Sequence, residues 1–241
     1  MTARDVEAED TDHKTKKPRF MNDWTPEQLE RATKRFHNVV TIPVDTRIKG
    51  DHLVLNLQEA KRILKNAEQI VLMDCTCRTQ RGNCDAPIHT CLRLNERAKQ
   101  ALEIDELKKL NPRQVPVQEA LKALEESHRS GLVHLAISVD QSQVNEVCSC
   151  CPCCCMALSA VLRFGLAPQI LTSKTVSSTD MQKCAACGAC LQRCRLDARE
   201  IVEDSLITHP DKCIGCGLCA STCPTQAIKL VAKGFSHQIP S

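Results

Sequence analysis

Large rings are almost missing from this chain of 241 residues: it has no Tyr, one Trp and four Phe, although 42% of its residues are hydrophobic. Its core must therefore be aliphatic, and stacking platforms for nucleic acid bases are lacking. No run of about 18 apolar residues occurs, which excludes a helix that spans a membrane. The opening stretch, MTARDVEAEDTDHKTKKPRF, has neither an apolar core nor a twin-arginine pair, so no export signal is expected and the protein is assigned to the cytoplasm. No GxGxxG follows a strand-like run and no Walker A loop occurs, which argues against a dinucleotide fold and an ATPase. Excess charge of one sign is lacking as well, the formal net charge being +3.

Cysteine, by contrast, occurs 18 times. Nine disulfides would need an oxidising compartment, so a reduced chain with this many thiols reads first as a metal protein. Ligating thiols are deprotonated, and an oxidised four-thiolate cubane carries about −2 in total. Two cubanes would bring the net charge to roughly −1 and four to roughly −5, so mild basicity is no argument for nucleic acid.

Residues 1–20 hold five acidic and five basic side chains and are expected to be a disordered tail. A helix is predicted in DWTPEQLERATKRFH, with Thr25 as N-cap, Pro26 at the first position and Gln28 closing a capping box. Another follows Asn56, with Leu57, Ala60, Ile63 and Leu64 on one face. QIVLMD reads as a buried strand ending at Cys75, and LVHLAISVD as a second one leading to the thiols at 148–155. Helical patterns occupy LRLNERAKQALEIDELKKL, VQEALKALEESHRS up to Gly131, and MALSAVLRF up to Gly165. With the two strands parallel in one sheet, their carboxyl ends would open onto a shared crevice. SKTVSSTD, from Ser173, reads as a linker.

The most specific signal is a duplication. KCAACGACLQRC begins at Lys183 and KCIGCGLCASTCP at Lys212, both with the spacing C-x2-C-x2-C-x3-C. Residues 180–232 thereby resemble the bacterial two-cluster ferredoxins. The resemblance implies Cys184, Cys187, Cys190 and Cys223 on one 4Fe–4S cluster and Cys213, Cys216, Cys219 and Cys194 on the other, the fourth cysteine of each run crossing over. Gly188, Gly215 and Gly217 suit such loops. Pro224 follows Cys223 as the pattern asks, whereas Arg195 follows Cys194, which weakens the expected local geometry and places a cation near that cluster. The alternative of structural zinc fits poorly, because zinc takes two CxxC pairs per site.

Ten further cysteines precede this module: Cys75, Cys77, Cys84, Cys91, Cys148, Cys150, Cys151, Cys153, Cys154 and Cys155. DCTCR, GNCDAPIHTC, GLVH and VCSCCPCCC together resemble the cysteine-rich domain of ferredoxin-like iron–sulfur proteins of anaerobes, which implies architecture more than mechanism. On a strand, Cys75 and Cys77 would point the same way, and with Cys84 and Cys91 they make four ligands for one cluster. The run from Cys148 needs irregular backbone around Pro152 to converge. The preferred reading is one or two further Fe–S centres with ligands shared between the regions; a zinc site on four of the ten thiols and a thiol–disulfide site are the rivals. His89 and His134 are weighed as ligands against ordinary hydrogen-bonded roles. Arg78 and Arg81 are weighed as cluster counter-charges against solvated loop residues.

The expected fold is α+β, a cysteine-rich α/β-type domain over 21–172, a linker over 173–179, a dicluster module over 180–232 and a tail over 233–241. The expected function is single-electron transfer between a low-potential donor and a partner oxidoreductase, in a larger complex and without nucleic acid. A catalytic Fe–S reductase subunit with a substrate or thiol site in the N-terminal domain is the first alternative, and a redox or metal sensor or cluster-delivery protein the second.

Overall fold

The computed structural model describes residues 22–36, 38–49, 52–138, 143–166, 171–203 and 205–233. The expected tails, 1–20 and 233–241, lie outside these residues except for Lys233. In chain order the first part comprises α1 (Pro26–Thr33), β1 (Asn38–Thr41), β2 (Asp45–Lys49), β3 (His52–Asn56), α2 (Gln58–Lys65), β4 (Ile70–Asp74) and α3 (Thr76–Arg81). It continues with β5 (His89–Leu94), α4 (Glu96–Glu103), α5 (Asp105–Lys108), β6 (Arg113–Gln114) and α6 (Val117–Arg129). Then come β7 (Val133–Ser138), β8 (Glu146–Cys150), α7 (Met156–Leu162) and β9 (Leu171–Thr172). The last part holds β10 (Thr175–Thr179), α8 (Ala189–Arg193), β11 (Arg199–Val202), β12 (Ser205–Thr208), α9 (Leu218–Ser221) and β13 (Ile228–Ala232).

Local chemistry sets several boundaries as expected. Thr25 and Gln28 form the reciprocal capping box of α1, with Pro26 at its start. Gly131 and Gly165 take positive φ just beyond α6 and α7. The helix expected from Leu92 starts only at Glu96, because Leu92 and Leu94 alternate with Cys91 and Arg93 on β5. The β pattern wins there through burial on both sides of the strand.

The main sheet has the order β6-β4-β5-β8-β7-β1-β9. Every ladder in it is antiparallel except β1–β9. The strands at 70–74 and 133–138, expected to be parallel, therefore run in opposite directions. Two strands lie between them, so three antiparallel steps reverse the direction. What converges instead is the C-terminal end of β4, the C-terminal end of β8, and the start of β5 and β7. Met73 stands opposite Cys91, and Val133 opposite Cys150.

One sheet face packs Ile70, Leu72, Leu92, Leu94 and Val147 against α2 and α6. Period-2 alternation sends Val71, Met73, Cys91 and Cys148 to the other face, against α4. Cys150 lies on that face too, in a core it shares with Leu158 of α7 and with Ile214 and Leu218 of the C-terminal part. That continuous apolar core ties the two parts of the chain together.

Residues 175–179, expected to be a linker, form β10, which pairs with β13 across the whole C-terminal part. The polar alternation of TVSST suits a two-stranded ribbon, and of these five residues Ser177 alone is buried. The remaining strands make two further antiparallel pairs, β11 with β12 and β2 with β3. No helix among the described residues is long and apolar enough to cross a membrane.

Candidate metal centres

The two C-terminal cysteine loops have the same backbone. Positive φ occurs at Ala186 and Gly215, at Gly188 and Gly217, and at Asp197 and Gln226. Each pair is separated by the 29-residue offset of the sequence repeat. Each loop then enters a short helix, α8 after Gly188 and α9 after Gly217. A loop of this shape turns its sulfurs toward one point and its backbone N–H groups toward the sulfurs.

The loops exchange their last cysteines. Cys184, Cys187, Cys190 and Cys223 line one small pocket, with Leu191, Leu206 and Ile228 as its apolar wall. Cys213, Cys216, Cys219 and Cys194 line another, with Leu196, Ile214 and Leu218. Each thiol set has the composition a 4Fe–4S cluster needs: four sulfurs, an apolar wall and nearby donors. The donors are on hand. The Ser177 N–H lies 3.4 Å from Cys213 Sγ, and the Ala198 N–H 3.4 Å from Cys194 Sγ. Burial works against the Cys223 thiolate, yet hydrogen bonds from Thr225 and from backbone N–H groups outweigh it and hold its pKa below the ordinary thiol value.

Arg199 was not legible as a site residue. It is buried, donates to Ser177 Oγ at 2.8 Å and to Thr179 Oγ1 at 3.0 Å, and lies between the two thiol sets. Burial pushes the thiols of Cys190 and Cys219 up, and the Arg199 guanidinium opposes the rise in both. The charge opposite many thiolates was a signal in principle, but its place depended on the β10–β13 ribbon. Arg195, the departure from the family pattern, lies against Gly131 at the end of α6.

The ten N-terminal thiols separate into two groups. Cys75 is the N-cap of α3 and Cys77 stands inside that helix, so they do not share a strand as expected. The expected set of Cys75, Cys77, Cys84 and Cys91 is not formed either. Cys75, Cys77, Cys91, Cys148, Cys150 and Cys155 line a cavity of about 490 Å³ on the α4 face of the sheet, which Cys154 also borders. Cys148 lies beside Cys91 and Cys150, and Cys150 beside Cys155. The neighbouring thiols of Cys150 and Cys91, helped by the Arg93 and Arg78 charges, pull the Cys148 pKa well below the ordinary value against the effect of burial. Burial pushes the Cys75 thiol up to about 11, with Arg78 opposing.

Cys84 joins the other group, with Cys151, Cys153 and Cys154. Its sulfur approaches Cys151 Sγ to 3.5 Å and Cys154 Sγ to 3.9 Å. Arg78, only 2% exposed, connects the groups. Its guanidinium donates to Pro87 O at 2.9 Å, Ser149 O at 3.1 Å and Thr90 Oγ1 at 2.5 Å, and lies 3.8 Å from Cys151 Sγ. It is a buried counter-charge, not a solvated loop residue. Arg81 stacks over Trp24 at 3.7 Å on the cavity rim.

Neither histidine faces the thiols as a spare ligand. His89 Nδ1 pairs with Asp74 Oδ1 at 2.7 Å. His134 Nδ1 bonds Ser149 Oγ at 3.0 Å on the opposite face of β8, and burial lowers its pKa to about 4.

Residues 206–229 match the 4Fe-4S binding domain family, a stretch that contains Cys213, Cys216, Cys219 and Cys223. None of the curated proteins matches the chain.

Proposed function

We propose that this protein passes single electrons between a low-potential donor and a partner oxidoreductase in a cytoplasmic complex. Its centres on this reading are two 4Fe–4S clusters on the crossed C-terminal thiol sets and one further Fe–S cluster on four of the six thiols at the N-terminal cavity. The clusters supply one-electron chemistry at nearly fixed geometry. The carrying observation is the repeat of backbone conformation at the 29-residue offset, which supports reading the first loop as a second cluster loop beside the matched 4Fe-4S domain.

The protein's own residues order these thiol sets in space. Cys187 is exposed, so the set containing it faces outward. Arg199 lies between that set and the next. Cys216 in turn borders the core that holds Cys150 and Cys155, so the second set sits between the surface set and the cavity. Ser177 and Ala198 hold N–H groups at the sulfurs of this middle set, an arrangement that raises its potential.

Anaerobic purification with iron and sulfide counts and EPR on stepwise reduction tests the proposal. About twelve irons per chain and three reducible centres are expected. A colourless protein, or centres that no dithionite-strength donor reduces, would refute it.

The cavity favours a second reading. Arg31, Arg35, Arg81 and Arg97 stand around the six-thiol floor, at the mouth of a space large enough for a small ligand. A reductase acting on a small anionic substrate fits that lining. A substrate-dependent change in the EPR signal of the N-terminal centre would select it over a plain carrier.

A further inference from the structure

The sequence CSCCPCCC (148–155) supplies both N-terminal groups, and the structure sorts its thiols by chemistry. Cys148, Cys150 and Cys155 line the cavity, while Cys151, Cys153 and Cys154 gather at Cys84, with Cys154 bordering the cavity as well. We propose that Cys84, Cys151, Cys153 and Cys154 form a closed tetrathiolate site for a single tetrahedral Zn²⁺ ion, distinct from the iron–sulfur centres and structural in role.

Sulfur spacing carries the inference. Four thiolates about 2.3 Å from one tetrahedral ion lie about 3.8 Å from one another. Here Cys84–Cys151 is 3.5 Å, Cys84–Cys154 is 3.9 Å and Cys153–Cys154 is 3.9 Å, with all four sulfurs within 4.8 Å of one another. A cubane presents one iron to each thiolate at separate corners, which holds the sulfurs farther apart. The molecule contains its own comparison for this. Among the described residues, no other group of three or more cysteine, histidine or carboxylate ligand atoms meets the 4.8 Å limit, and the C-terminal sets are among those that do not. The distances also exceed a disulfide bond of about 2.05 Å, so these are four separate thiols.

The surroundings fit a structural ion. The chain turns over Pro152, with the Cys155 N–H donating to Cys151 O at 2.9 Å, so Cys151 and Cys154 form a two-residue-spaced knuckle. Asn83 Nδ2 donates to Cys153 O at 3.0 Å and Trp24 Nε1 to Cys154 O at 2.9 Å, fixing the ligand backbone from outside. Buried Arg78 offsets part of the net −2 that Zn²⁺ and four thiolates carry. With four protein ligands no coordination position stays open, so the ion does no chemistry. It pins the loop carrying Cys84 to the turn that delivers Cys150 and Cys155 to the cavity.

The test uses the full chain, purified without oxygen. Metal analysis should give one zinc per chain, and zinc X-ray absorption should show four sulfurs at about 2.3 Å with no iron neighbour. The double variant C84S/C153S should lose at least four-fifths of its zinc and keep the EPR signals of the C-terminal clusters. Zinc below a fifth of an equivalent in the parent protein, zinc that persists in the variant, or loss of about four irons per chain from the variant would each overturn the assignment. Should the variant fail to fold, the parent chain grown with cobalt decides: tetrathiolate cobalt absorption of one equivalent supports the site, and its absence overturns it. The iron count is read separately, so this inference and the electron-transfer proposal can fail independently.

Discussion

The two C-terminal cysteine loops share a backbone and differ in everything around it. Among the described residues nothing lies within 4 Å of where a Cβ on Gly188 of the first loop would stand, whereas a Cβ on Gly217 of the second would lie 1.6 Å from the Val44 carbonyl oxygen. Cys187 is exposed in the first loop. Its counterpart Cys216 lies against the shared core, and its carbonyl accepts the Val44 N–H at 3.3 Å. Duplication thus produced one loop for the surface and one for the interior. The same ligand spacing serves both, and the neighbours decide the role.

The largest break in that comparison is expected from glycine replacement. Gly217→Ala should prevent stable docking of the second loop, since both the positive φ of 83° and the Val44 carbonyl oppose a side chain. Loss of several kcal/mol, seen as insoluble protein or a broad early thermal transition, is the expected outcome. Gly188→Ala meets only the φ penalty, about 1–2 kcal/mol, and should give a folded, iron-containing protein. Equal behaviour of the two variants would erase the distinction.

Acid should separate the loops next. His128 on α6 pairs through Nε2 with Ser221 Oγ, 2.9 Å away beside the second loop, and burial, with His134 and Arg193 adding, lowers its pKa to about 3. It is neutral when folded and protonates in the unfolded chain below about pH 6.5, so its contribution is present above that pH and is lost as pH falls toward 3. By pH 5 the loss is about 2 kcal/mol. His128→Gln should flatten denaturant-measured stability between pH 7 and pH 5 by about that amount; an unchanged slope would place the acid sensitivity elsewhere.

A smaller effect is expected where the loops share a residue. Arg199→Gln removes a buried positive charge from between both thiol sets and, on the proposed reading, should lower both C-terminal potentials by on the order of tens of millivolts. Redox titration followed by EPR would measure it. A shift in one centre alone would mean that the guanidinium acts on one side.

Local signals carried the sequence reading a long way. The capping box at Thr25 and Gln28, the buried run at 70–74 and the cysteine spacing of both loops are all written within a dozen residues. The sorting of CSCCPCCC is not. It depends on β8 lying between β5 and β7, a non-local pairing that brings Cys91 beside Cys148 and leaves Cys84 to the turn after the strand. The direction of β7 against β4 follows from the same strand order, which periodicity does not encode. TVSST reads as a linker in the sequence because a two-stranded ribbon at a surface buries too little to show an apolar pattern.

The outward position of Cys187 has a consequence for survival in air. On the proposed reading, dioxygen meets the surface set first, and the sets nearer the aliphatic core are sheltered behind it. Damage would then advance from one side, and a protein briefly exposed to air would lose its contact with outside partners before it lost its inner centres.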